Sequence, residues 1–233
     1  MHIEFFYPIG KEPDNEPLMD LLPEGYRSAA VIFYPFFKME SGWNAIDAPS
    51  DEEVYRFATP VSWKEIQNRA RLDRISDVSI GVTAYVTGGC GVKVYQRMDL
   101  VERIQRAIEP DFFFPYEDQF SVLLIDDLLR VLASKGATKI FYNKLIDGEG
   151  VFELKDLNLE RKLFLCSGPM ILMDEHKEFT FTCYFDESAM VFFTKEETLD
   201  CLKDTSFEGV YFEKETPLIW QNHHYQYFNN NES

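Results

Sequence analysis

The last third of the chain most limits what it can fold into. Residues 162–166, 170–173, 179–185 and 190–193 follow one another as short apolar runs, broken by polar and turn residues. Runs of this length, rich in Phe, Val, Ile and Thr, read as strands. Asp186-Glu187-Ser188 turns the third into the fourth as an antiparallel hairpin, and residues 209–213 and 218–220 add two more strands. Helical patterns gather earlier in the chain. The fold expected is α+β, with a mainly antiparallel sheet in the C-terminal half packed with helices from the N-terminal and middle parts.

Within those earlier parts, residues 28–37 read as a buried strand bent by Pro35. Ser50 with Glu53, and Ser62 with Glu65, fit capping boxes that open helices over 51–58 and 63–71. Residues 77–86 alternate weakly and read as a strand, broken at Gly88-Gly89-Cys90-Gly91. Helical spacing returns over 94–108 and is firmest over 119–135, where Phe120, Leu124, Leu128 and Leu132 share one face and Gly136 stops the helix. A strand over 138–142, a turn at 147–150 and a helix from Thr194 to about residue 204 complete the reading. Residues 1–228 form one expected domain with a possible seam near 110–115, and 229–233 a disordered tail.

Charge narrows the partners. Forty acidic and 23 basic residues give a net charge of −17, which disfavours nucleic acid and anionic membrane surfaces and leaves open a basic protein partner, or no macromolecular partner at all. Residues 51–110 balance, with nine of each sign, so the excess lies in the rest of the chain. Arg97, Arg103 and Arg106 fall in that neutral middle and are candidates for a small anion, or for pairing with acids elsewhere. The four cysteines form no C-x-x-C pair, and the longest apolar run, 29–37, is too short to span a bilayer. The first residues carry no basic leader ahead of an apolar stretch. A reduced cytoplasmic protein is expected, with no metal and no cofactor; its oligomeric state is left open.

Candidate chemistry is sparse. Gly88-Gly89-Cys90-Gly91 lacks phosphate-loop spacing and reads first as a turn. Cys90 is the nominee for a nucleophile, with Asp77 as a nearby carboxylate, although no partner histidine is evident. His223-His224 and Asp174-Glu175-His176 lack metal-ligand spacing. Asp126-Asp127 and Glu196-Glu197 each lie on an expected helix, the second pair in its first turn, and structural roles account for both better than acid–base work. Residues 207–220 interleave aromatics with acids: Tyr211, Glu213, Glu215 and Trp220 are candidate contacts for a basic partner, beside the plainer reading of a strand alternating core and solvent.

That segment, with Val61-Ser62-Trp63-Lys64-Glu65 and Phe33-Tyr34-Pro35-Phe36, resembles an uncharacterised bacterial family known as domain of unknown function 2711. The resemblance implies a soluble bacterial protein and transfers no catalytic residue. Two functions follow from the residues. The first is an acidic binder or inhibitor of a basic protein, similar in kind to immunity proteins. The second is a small-molecule enzyme with a pocket between the helical part and the C-terminal sheet.

Overall fold

The computed structural model describes residues 16–40, 43, 48–88, 96–183, 185 and 187–230. An eight-stranded, wholly antiparallel sheet organises them. In chain order its strands are β1 (Ser28–Phe33), β5 (Lys139–Lys144), β6 (Gly148–Glu153), β7 (Met170–Asp174), β8 (Phe179–Cys183), β9 (Ala189–Thr194), β10 (Glu208–Phe212) and β11 (Gln226–Asn229). Their spatial order is β11-β10-β1-β9-β8-β7-β5-β6. The strand from the first third, β1, therefore sits between β10 and β9 from the last. A small antiparallel sheet, β3-β2-β4, joins β2 (Phe36–Met39), β3 (Ala58–Val61) and β4 (Phe112–Phe113).

Both faces of the large sheet are covered, which explains its unbroken apolar runs. Antiparallel sheets usually keep one wet face and alternate in sequence, but β7 and β8 are buried at every residue. Ala30, Ile32, Phe181 and Phe192 pack with α2 (Asp51–Phe57), α6 (Ile125–Ala133) and α7 (Leu159–Leu165). Ala29, Val31, Phe33 and Val191 pack the other way, against α3 (Trp63–Arg69), α4 (Ile75–Thr87) and α5 (Met98–Ala107). A one-turn helix, α1 (Leu18–Leu21), lies ahead of the first strand.

Several elements differ from the sequence expectation. Residues 77–86 lie in α4, not a strand. Ile75 to Val82 and Ala84 are all buried there, so no polar face remains to reveal a 3.6-residue period. Residues 162–166 close α7, which starts where the Asn158 side chain accepts a 3.0 Å hydrogen bond from Arg161 N. Thr194 does not open a helix, because its backbone is committed to the β1 and β8 ladders. Its hydroxyl accepts only from Glu196 N, and a single 3₁₀ turn follows at Asp200–Leu202. Helix α6 starts at Ile125, later than expected, since Gln119 is drawn off to Asp51. Residues 218–220 form no strand, and β6 occupies what reads as a turn and its sequel. Asn229 ends β11 opposite Glu208.

Candidate functional site

The structure separates most of the nominated residues. Asp77 sits in the first turn of α4 and accepts from Arg74 N at 3.2 Å and Arg74 Nη2 at 3.1 Å, which fixes that helix start. Arg97 makes a two-pronged pair with Asp99, both contacts 2.8 Å, and Arg106 reaches Glu102 at 2.8 Å. Arg103 donates to the Ala70 and Arg71 carbonyls. The three arginines thus turn to separate neighbours rather than to one point. Tyr211 is half-buried with its ring stacked 4.3 Å from Phe228, and Glu213 accepts from Gln226 Nε2 at 2.8 Å. Those two line a groove of about 340 Å³ with Arg27, Lys203 and Asp200. Glu215 is exposed, while Trp220 is buried 5.5 Å from the Phe33 ring, outside that groove. Cys90 lies outside the described residues.

Ladder register brings a different set together. Lys144 opposes Gly148 and Met170, Met170 opposes Cys183, Ala189 opposes Phe33, and Glu208 opposes Asn229. One end of the sheet is therefore formed by the β5–β6 turn, the β8–β9 turn, the end of β1 and the start of β10. At the β10 side of this rim a pocket of about 300 Å³ is lined by Phe33, Pro35, Ser62, Glu65, Glu208 and Asn229, among others, and by no basic residue.

Glu208 organises that pocket. The residue is 5% exposed, and its carboxylate accepts from Trp63 N (2.7 Å), Lys64 N (2.8 Å) and the Tyr227 hydroxyl (2.5 Å). The side chain from β10 thereby caps the orphan amides at the start of α3 and ties them to β11. Glu65 is engaged too, through Arg69 at 2.7 Å. The only hint of this in the sequence is an acid standing between Phe207 and Gly209 in an apolar strand.

The opposite side of the rim is apolar. Ile146 is 80% exposed and Leu145 48%; Phe185, 42% exposed, lies at the same end of the sheet on the β8–β9 turn, with β7 between the two turns. Asp147 and Glu149 flank them. The one base at this point, Lys144, is buried; its Nζ lies 2.9 Å from Asp147, 3.0 Å from Ser167 Oγ and 4.4 Å from the Phe164 ring centre. The rim thus presents aliphatic and aromatic anchors beside carboxylates. Among the described residues no group of three His, Cys, Asp or Glu is placed to hold a metal ion, and no helix is long and apolar enough to cross a membrane.

Comparison with known proteins agrees with the motifs around Phe33, Trp63 and Glu208. A family model described as "Protein of unknown function (DUF2711)" matches residues 14–222. The chain belongs to this family. It is similar to "Uncharacterized protein YwbB" of Bacillus subtilis (strain 168), 25% identical over 217 residues, which cover 89% of this chain and 96% of the relative. No solved structure matches it.

Thiol chemistry in this DUF2711 chain is constrained by burial. Desolvation pushes the Cys166 thiol well above its ordinary range, and pushes Cys183 and Cys201 up to about 12. All three stay protonated near neutral pH, so they make poor nucleophiles. In the native protein at pH 8, Cys166 and Cys183, which are fully buried, are expected to react with a disulfide reagent only on the timescale of unfolding. A fast reaction at either of them, located by mapping the modified thiol, would contradict that.

Proposed function

We propose that the protein is an acidic interaction protein, a binder or inhibitor of a basic protein partner. The observation that carries this reading is the exposed apolar pair Leu145 and Ile146 on the β5–β6 turn, beside Asp147 and Glu149. Buried apolar anchors supply most interface energy, and complementary charge supplies rate and selectivity. Fourteen basic side chains among the described residues already lie within 4 Å of an acid, which supports a negative field outside the molecule. The same reading takes residues 1–228 as one unit, because β1 is wedged between late strands, and places it in the reducing cytoplasm, where buried free thiols such as Cys166 and Cys183 are at home.

The test is a pull-down with full-length protein, guided by genomic neighbours. A basic protein should be retained at roughly 50 mM salt and released at roughly 500 mM. Ile146→Asp should lower its retention about tenfold with folding stability changed by less than about 0.5 kcal/mol. Retention of no basic protein at low salt would sink the reading. The pocket beside Glu208 favours a second one, a small-molecule site for an amine-bearing ligand. Its check is a melting-temperature screen against small amines, where no upward shift would discard it.

A further inference from the structure

We propose that the outer edge of β6 is the docking point, and that the partner adds to it an extended, lysine- or arginine-bearing segment as a ninth strand. This rests on the basic-partner reading and supplies its place and mode.

Strand β6 ends the sheet order and is hydrogen-bonded to β5 on one side; among the described residues no strand covers the other. Natural edges are commonly blunted by proline or lysine, or kept short. Neither residue occurs in β6, which runs for six residues against four in the opposite edge, β11. The strand is also held firmly. Phe152 lies 5.1 Å from the Tyr142 ring and 5.8 Å from the Phe164 ring, and the Tyr142 ring covers Gly150 so closely that a Cβ there would lie 2.8 Å from its Cε1. An aromatic laid across an edge glycine pins register. The edge is thus preformed, and a binding segment need not order it.

Period two puts Glu149, Val151 and Glu153 on the face away from Phe152. Val151 is 49% exposed and Glu149 is exposed. A second copy paired antiparallel about Val151 would set Glu149 opposite Glu153 of its mate, and like charges directly opposite are destabilising. A segment with a base, an apolar residue and a base at alternate positions meets the same three residues with attraction. Lys139 lies 3.2 Å from Glu153, but that pair is exposed and exchanges at little cost. Ile146 and Leu145 extend the apolar contact past the strand end.

The probe is an amidated heptapeptide, Thr-Lys-Thr-Val-Thr-Lys-Thr, carrying a fluorescein on its N-terminus and titrated with the protein at low salt by fluorescence anisotropy, with amide exchange read in parallel. Binding should slow exchange across residues 148–153, and N-methylating the amides along one peptide edge should weaken it about tenfold or more. The double variant Glu149→Lys with Glu153→Lys should lose about tenfold for this peptide and gain a similar factor for its glutamate counterpart. Both substitutions are on the surface, and an unchanged melting temperature confirms the fold. No binding, protection at another face, or indifference to charge reversal would each overturn the edge assignment. Those outcomes leave the pull-down result untouched, so the broader reading stands or falls separately.

Discussion

Gly209→Ala is expected to destabilise the protein by more than about 3 kcal/mol, because the added methyl has no side chain to push aside. Gly209 lies in β10 opposite Ile32 of β1 and Phe228 of β11. A Cβ there would overlap the Val31 carbonyl oxygen, and would stand 3.0 Å from Val31 C and 3.1 Å from Ile32 Cα. Those are backbone atoms of a strand held on its far side by β9. Overpacking that side chains can absorb costs about 1–3 kcal/mol; here the ladder itself must part. For a chain of this size the melting temperature should fall by roughly 6–12 °C, or no soluble protein should form. Gly81→Ala is the comparison. Its Cβ would meet Ile104 Cδ1 at 2.7 Å, the far end of a flexible side chain, and alanine gains about 1 kcal/mol of helix propensity over glycine. Its melting temperature should move by a few degrees at most. Equal shifts for the two variants would refute the close approach of β1 and β10.

Legibility in the sequence followed the range of the interaction that builds each element. The caps at Ser50 and Ser62 are local, and α2 and α3 begin where those hydroxyls accept from Glu53 N and Glu65 N; the box is reciprocal at Ser50, while Glu65 turns to Arg69 instead. Strands β7, β8 and β9 were legible because burial on both faces leaves continuous apolar runs. The same two-sided burial hid α4, whose residues look like a strand once the polar face is gone. Thr194 carries a cap signature, but its neighbours in β1 and β8 outcompete the local hydrogen bond. The candidate site was the least legible part. Residues 145, 185 and 208 share a rim only because the ladders bring their strands into register, and no spacing along the chain encodes that.

Glu208→Gln is the sharper test of what that rim is for. The carboxylate accepts from the amides of Trp63 and Lys64 and from the hydroxyl of Tyr227. Glutamine keeps the shape but offers an NH₂ group where one of those donors needs an acceptor. Hydrogen bonds to charged groups contribute about 1.5–3 kcal/mol, and a buried donor left unmatched costs about 1–3 kcal/mol more. A loss of about 3–5 kcal/mol is therefore expected by denaturant titration, with amide exchange speeding at residues 63 and 64. Tyr227→Phe removes one donor and leaves the carboxylate intact, so it should cost only about 1 kcal/mol. A different ordering would change the account. If Glu208→Gln left stability within about 1 kcal/mol of the parent, or raised it, the buried charge would be retained for a ligand at a cost in stability, and the pocket beside it, rather than the β6 edge, would become the working site.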